Sequence, residues 1–408
     1  MTKAEKPHIG IFGRRNIGKS SFINTVSGQN VSIVADYPGT TTDPVNKAME
    51  LTGIGPVIFI DTAGIDDVGE MGLKRVGRTL DVIKTIDMAI LLVSENTYEN
   101  PERLLVEKFE EYRVPFFVVH NKSDLLRLSA LTKEMIEKET LTDIVEFNAS
   151  CPDNIDEIIS FIKKHVPESS LDQPSLVGDL VSYGDIVLLV TPIDVEAPKG
   201  RLILPQVQTI RDLLDHDCIT IIMKERELEA FFRGHPDLKP KLVITDSQEF
   251  LKADASVPAD IPLTSFSILL ARYRGAFREY LEGTPYISRL KDNDRILILE
   301  SCSHHVAGDD IGRVKIPRWI SNFTGKKLSF DIVSGLSNVE RDILEYSMVV
   351  QCGGCMLTRK QIYNRLKPAI DLEIPVTNYG MAIAYCLGIY NRAIEPFYKM
   401  NDSDLTYL

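Results

Sequence analysis

The stretch Gly13-Arg-Arg-Asn-Ile-Gly18-Lys19-Ser20 follows the β-branched run His8–Phe12 and opens the helical stretch Lys19–Val26. A strand feeding a glycine-rich turn that starts a helix constrains the fold more than any other feature of the chain. It calls for an open, mainly parallel sheet with the turn at the carboxyl edge of a strand. Glycines let backbone N–H groups converge on phosphate oxygens, and the helix start adds its positive dipole end. By this pattern Gly13, Gly18, Lys19, Ser20 and Ser21 bind phosphate. The Lys19 ammonium reaches the β and γ phosphates, and the Ser20 hydroxyl coordinates Mg²⁺.

The remainder of the first 167 residues repeats strand, loop and helix. Val57–Ile60, Met88–Val93, Phe116–His120 and Ile144–Phe147 read as buried strands, and Pro101–Tyr112 and Ile155–His165 as helices. That alternation predicts a parallel sheet with helices on both faces. Pro167–Asp185, rich in Pro, Ser and Gly, reads as a linker. Beyond it come strands Ile186–Thr191, Ile219–Met223 and Leu242–Thr245 with helices near Val207–Leu214 and Leu228–Phe232. This second α/β set has no phosphate loop and reads as a packing or dimerisation module. An amphipathic helix over Ser267–Leu281 leads to strands Ile296–Glu300, Leu328–Val333, Met348–Val350 and Ile374–Val376, with helices Thr358–Leu366 and Met381–Arg392. The expected fold class is therefore α/β, with three domains each built on a mainly parallel sheet and an N-terminal P-loop fold. Its divisions are 1–167, a linker over 168–184, then 185–264 and 265–408.

Three further motifs stand in order at strand ends. Asp61-Thr-Ala-Gly64 follows Val57–Ile60, so the carboxylate can hold Mg²⁺ through water while the Gly64 N–H meets the γ-phosphate. Asn121-Lys122-Ser123-Asp124 follows Phe116–His120. The Asp124 carboxylate can accept both N1–H and N2–H₂ of guanine, a donor pair that adenine lacks. Asn148-Ala149-Ser150 places the Ala149 N–H where guanine O6 would lie. GTP is thereby selected over ATP.

With these four motifs the chain resembles the translation-factor-class GTPases, in the branch of tRNA-modifying and ribosome-assembly GTPases. Gly39-Thr40-Thr41-Thr42-Asp43 resembles that branch's first switch, which implies that Thr41 contacts Mg²⁺ when GTP is bound; Thr42 stands where Arg is usual. Lys19, Thr41, Asp61 and Gly64 are then the catalytic set. Asn16 matches the asparagine that helps hold K⁺ beside the phosphates in potassium-stimulated members. Ile65 follows the Asp-Thr-Ala-Gly motif where other GTPases carry a water-orienting Gln, and an aliphatic side chain cannot orient water, so intrinsic hydrolysis should be slow and stimulated by K⁺. Arg14 and Arg15 read as a solvated loop surface.

Six cysteines in a chain this long do not form a disulfide scaffold. Cys352-Gly-Gly-Cys355 is a C-x-x-C, and Cys302-Ser-His304-His305 lies 50 residues upstream of it. Cys302 follows the strand Ile296–Glu300 and Cys352 follows Met348–Val350. In one parallel sheet both would lie at the same carboxyl edge, where ligands bind. Cys218 and Cys386 read as core residues and Cys151 as incidental. Three thiolates with an exchangeable fourth ligand suit structural zinc or an iron–sulfur cluster, and spacing does not choose between them.

Together with the GTPase motifs, this pattern resembles the FeFe-hydrogenase maturation GTPases. The resemblance implies that Cys302, Cys352 and Cys355 hold a 4Fe-4S cluster, with His304 matching the family's remaining histidine. Gln351 stands where the family pattern has a second His, so that ligand cannot be carried over; Asp309, Asp310 and His305 are alternatives for the fourth position. It further implies a scaffold or carrier for the diiron precursor of the hydrogenase, with the other hydrogenase maturases and the apo-hydrogenase as partners and a homodimer formed through the middle domain. Arg313, Lys315 and Arg318 could attract an anionic diiron fragment or form an ordinary basic surface. A net charge of −12 disfavours nucleic acid and anionic membranes. The first residues hold no signal-peptide pattern and no apolar run is long enough to span a bilayer, which points to the cytoplasm.

Overall fold

The structure, a computed structural model, describes residues 6–28, 44–51, 53–67, 70–149, 154–167, 175–192, 202–301 and 310–397. It forms two compact units, Met1–Gln173 and Pro174–Leu408.

The first unit runs β1 (His8–Phe12), α1 (Lys19–Val26), β2 (Val45–Leu51), β3 (Gly55–Asp61), α2 (Glu70–Ile83), β4 (Met88–Val93), α3 (Asn100–Glu111), β5 (Phe116–His120), α4 (Ala130–Thr140), β6 (Ile144–Glu146) and α5 (Ile155–His165). The sheet order is β2-β3-β1-β4-β5-β6, with β2 antiparallel to β3 and the other pairs parallel. Consecutive apolar residues of the central strands go to opposite faces. Ile9, Val57, Phe59, Ile90 and Leu92 enter one core; Phe12, Ile58, Ile60, Leu91 and Val93 enter the other. Burial on both faces is why these strands read as unbroken apolar runs. β2 is an edge strand with one wet face, and its weaker apolar signal left it unread in the sequence.

The second unit runs β7 (Ile186–Val190), α6 (Leu204–Asp215), β8 (Ile219–Met223), α7 (Leu228–Gly234), β9 (Leu242–Thr245), α8 (Phe250–Ser256), β10 (Leu263–Ser265), α9 (Phe266–Arg274) and α10 (Phe277–Gly283). It continues with β11 (Arg295–Leu299), α11 (Ile316–Thr324), β12 (Ser329–Val333), β13 (Met348–Gln351), α12 (Arg359–Asp371), β14 (Val376–Asn378), α13 (Tyr379–Cys386) and α14 (Tyr390–Ile394). Two four-stranded sheets result, ordered β10-β9-β7-β8 and β12-β11-β13-β14, and every pair is parallel. One continuous core joins them, taking Val187, Leu189 and Ile244 from the first sheet and Ile296, Ile298 and Val349 from the second. No helix among the described residues is long and apolar enough to cross a membrane.

Three expectations are corrected here. The second half of the supposed linker is packed structure: Val177 is fully buried, and the Asp212 carboxylate accepts the Val177 and Gly178 N–H groups at 2.8 and 3.1 Å. The helix expected over Ser267–Leu281 is two helices, α9 and α10, broken at Gly275. Nor is α9 amphipathic, because its charged residues Arg272 and Arg274 are both buried. The helix expected over Met381–Arg392 likewise divides at Gly388, whose φ of 79° ends α13 before α14 begins.

Candidate nucleotide and cysteine sites

The phosphate loop leaves β1 through Gly13 and enters α1 at Gly18. Gly18 sits at φ 97°, and a Cβ there would meet Asn121 Nδ2 at 2.6 Å, so both the turn and the close approach require glycine. Asn121 Nδ2 donates to Ile17 O at 2.8 Å, and Lys122 Nζ donates to Asn16 O at 2.8 Å. The guanine motif therefore braces the phosphate loop from behind. Asp124 is exposed, and Thr25 Oγ1 of α1 donates to Ala149 O at 3.2 Å, which ties that residue to the helix following the phosphate loop.

Ser20 Oγ donates to Asp61 Oδ2 at 2.5 Å, so the two residues expected to serve Mg²⁺ are brought together. Lys19 is buried and donates to the Gly13 and Arg14 carbonyls at 3.2 and 2.8 Å. Burial lowers its pKa, opposed by the nearby Asp61, Asp66 and Asp67 carboxylates. A phosphate placed among these donors would replace loop carbonyls with a full negative charge. Gly64 lies against the loop: a Cβ on it would meet Arg15 N at 2.7 Å. Asn16 and Ser21 are exposed, with Asn16 at φ 56°. Ile65 is buried in the apolar core that also takes Val82, Ile83 and Leu105. Thr41 and the rest of Gly39–Asp43 lie outside the described residues, as does Ser150.

The reading of Arg14 as a solvated loop surface is corrected, while Arg15 is exposed. Arg14 donates to both oxygens of the fully buried Glu102 and to Glu99, at 2.7 to 3.0 Å, which raises its pKa and ties the loop to α3. Arg15 pairs with Asp67 at 3.0 Å, and its backbone N–H donates to Asp66 at 2.7 Å. No spacing rule pointed to these carboxylates, because the partners of Arg14 lie 85 and 88 residues away.

The cysteine motif stands where the parallel-sheet argument put it. β11 pairs with β13 in parallel with Leu299 opposite Gln351, and the Cys352 N–H donates to Leu299 O at 2.9 Å. Cys352 and Cys355 line one cavity of about 220 Å³. Gly354, at φ 71°, makes the turn between them; a Cβ there would strike Ile362 Cδ1 at 2.2 Å. Thr358 caps α12 immediately beyond, its hydroxyl accepting the Gln361 N–H at 3.2 Å. Burial, and then the charge of Cys352, push the Cys355 thiol up to about 11, against Arg274.

Around Cys352 Sγ the donors are dense. The Ser301 N–H donates to it at 3.1 Å, Ser301 Oγ lies at 3.0 Å, and Gln351 Nε2 donates at 3.5 Å. Asp310 is buried, lines the cavity and accepts the Arg313 N–H at 2.8 Å. Cys302, His304, His305 and Asp309 lie outside the described residues, and among the described ones no three His, Cys, Asp or Glu side chains gather as a metal site. Arg313 donates to Glu300 and Lys315 to Gln248, so these two are engaged within the fold rather than forming a free basic patch. Cys218 and Cys386 are packed as expected, with Cys386 pushed up to about 12 by burial.

The middle segment contributes more than packing. Asp246 and Ser247 beyond β9, and Phe266 and Ser267 beyond β10, line the same cavity as the cysteines, together with Tyr379 beyond β14. Carboxyl ends of strands from both sheets therefore converge on one space. The sequence carried no motif for this, since the lining is largely short polar and apolar residues without a characteristic spacing.

Three family models match the chain. "50S ribosome-binding GTPase" covers residues 8–122, "Hydrogen maturase F dimerization domain" covers 176–275 and "Hydrogen maturase F tetramerization domain" covers 278–396. The tRNA modification GTPase MnmE of Nitrosomonas europaea is 39% identical over 115 residues, which is 28% of this chain and 25% of that protein. GTPase Era of Ruminiclostridium cellulolyticum is 29% identical over 210 residues, 47% of this chain and 68% of that one. The chain spans between 25% and 34% of the length of the MnmE proteins it matches. Among solved structures, Aquifex aeolicus Era bound to GDP and AlF₄⁻ aligns at 19% identity and a TM-score of 0.35, over 55% of this chain and 97% of that one. With a GTPase domain followed by both hydrogen maturase F domains, the chain belongs to the hydrogen maturase F family.

Proposed function

We propose that the protein binds and hydrolyses GTP with Mg²⁺ and serves as the scaffold on which a 4Fe-4S cluster holds, and then releases, the diiron precursor of the FeFe-hydrogenase active site. The observation that carries the proposal is the pair Cys352 and Cys355 lining one cavity at the carboxyl edge of a parallel sheet, in a chain whose other unit is a GTPase domain. The donor set fits a thiolate-bound cluster: two thiols share a cavity, a glycine turn leaves room between them, and N–H donors face one sulfur. Cys302, Cys352 and Cys355 would hold the cluster. His304, Asp309 or Asp310 would complete it, and Asp310 has the support of lining the cavity. Bound there, the cluster would supply an iron with an exchangeable position for the cargo.

In the GTPase unit, Lys19 and the loop N–H groups would hold the phosphates, Ser20, Thr41 and Asp61 the Mg²⁺, and Asp124 the guanine edge. Asn16 would help hold K⁺, and hydrolysis would be slow without it. Switch movements would bias contacts with the other maturases and the apo-hydrogenase, in the cytoplasm. A second copy of the chain would pair through the middle segment, a reading supported by the dimerization model over 176–275.

Anaerobic purification followed by counting iron, sulfide and zinc per chain tests the cluster reading. Close to four irons and four sulfides are expected. Stoichiometric zinc without iron would replace the reading with a structural zinc site.

A further inference from the structure

Gln351 occupies an unusual place for an amide. It is 1% exposed, it ends β13 immediately before Cys352, and its Oε1 is buried with no hydrogen-bond partner among the described residues. Its Nε2 serves three acceptors instead: Ser301 Oγ at 3.1 Å, Cys352 O at 3.2 Å and Cys352 Sγ at 3.5 Å. The amide is thus turned donor-first toward the sulfur, at the cost of its own carbonyl.

Serine and amide form one connected shell around this sulfur, with Ser301 Oγ 3.0 Å from Cys352 Sγ and accepting from Gln351 Nε2 at 3.1 Å. Ser301 N–H, at 3.1 Å, adds a second direct bond to the same sulfur. The half-buried Arg365 donates to Glu300 O and Val333 O at 2.6 Å each, at the ends of the neighbouring strands β11 and β12.

We propose that Gln351 is a positioning residue for the cluster, donating its amide N–H toward the Cys352 thiolate together with Ser301, and so holding the cluster at a higher reduction potential than its three thiolates alone would set. Resting on the cluster reading above, the inference says how this chain uses the position where its family pattern has histidine: as a donor to sulfur rather than as a ligand to iron. Hydrogen bonds to ligating sulfur draw off electron density and favour the more negative, reduced cluster, which raises the potential.

The test is redox titration of the full-length, iron-loaded protein, followed by EPR, for wild type, Gln351→Leu, Gln351→Glu, Ser301→Ala and Ser301→Thr. With iron content unchanged, Gln351→Leu and Ser301→Ala should move the midpoint to more negative potential. Gln351→Glu, which puts an anion where the donor was, should move it further. Ser301→Thr, which keeps both donors, should stay at the wild-type value. EPR g-values should remain those of the wild-type cluster throughout.

Unchanged potentials in Gln351→Leu and Ser301→Ala would overturn the proposal. So would altered g-values in Gln351→Leu with unaltered ones in Ser301→Ala, which would make Gln351 a ligand, and so would loss of iron from both. If only Gln351→Leu loses its iron, Ser301→Ala decides by its potential. Absence of iron from the wild type would instead be failure of the cluster reading, visible before any substitution is made.

Discussion

At the scale of single residues, the GTPase motifs do two jobs each. Gly18 makes the left-handed turn and also clears Asn121, so a side chain there would disturb the phosphate loop and the guanine loop together. Lys122 and Asn16 are joined in the same way, through the Asn16 carbonyl. Asn16 sits at φ 56°, a conformation asparagine tolerates better than alanine by roughly 1 kcal/mol. Replacing it would therefore strain the loop whatever its role with K⁺. The ratio of hydrolysis rates in K⁺ and Na⁺ separates the two effects, since strain slows both reactions alike. For the wild type a ratio of about ten or more is expected, equivalent to about 1.4 kcal/mol of transition-state stabilisation. In Asn16→Ala the ratio should fall to near one. A wild-type ratio near one would remove K⁺ from the mechanism.

At the scale of elements, what could be read in advance followed burial. β1, β4 and β5 are buried on both faces and announce themselves as apolar runs. α9 misled because its two arginines have partners far away in sequence. Arg272 is fully buried and donates to both Asp179 oxygens at 2.7 Å, with its guanidinium 5.4 Å from the Phe397 ring centre. A charge counts as surface in any periodicity argument unless its partner is known, and that partner lay in the stretch taken for a linker. The same blindness hid the Arg14 tie to α3 and the donors around Cys352, which come from a serine and a glutamine with no motif of their own.

Edges of the middle sheet carry a prediction of their own. β10, one edge, is packed by α14, whereas β8 is the other edge and exposes Ile219 at 53% and Ile222 at 46%. Val207 and Leu214 of neighbouring α6 are also about half exposed. An open edge strand with apolar neighbours is a template for pairing with another chain. Ile222→Lys should weaken self-association by about 2 kcal/mol, roughly thirtyfold in Kd, through the lost apolar burial. Sedimentation velocity across a dilution series would show the shift to smaller species, and an unchanged mass distribution would move the dimer contact away from β8.

Across the whole molecule, the nucleotide and cysteine residues belong to different compact units with different cores. Lys19, Ser20, Asp61 and Asp124 stand on the sheet of Met1–Gln173, while Cys352 and Cys355 stand in Pro174–Leu408, whose two sheets share one core. Each sulfur donor bond and each phosphate-loop bond described above is internal to one unit. On the proposed function, GTP hydrolysis would act on partners and cargo exchange rather than on holding the metal. Two substitutions test this in the full-length protein. Lys19→Ala should cut GTP hydrolysis by about a hundredfold or more, as removal of a charge-stabilising donor does, yet leave iron and sulfide per chain at the wild-type count. Cys352→Ser should lower bound iron, yet leave the GTP hydrolysis rate within about twofold of wild type, since its hydrogen-bond partners among the described residues, Leu299, Ser301 and Gln351, all lie in its own unit. Loss of iron in Lys19→Ala, or a collapse of hydrolysis in Cys352→Ser with the fold intact by circular dichroism, would mean that the two sites are energetically coupled. Nucleotide state would then have to be written into the metal chemistry itself.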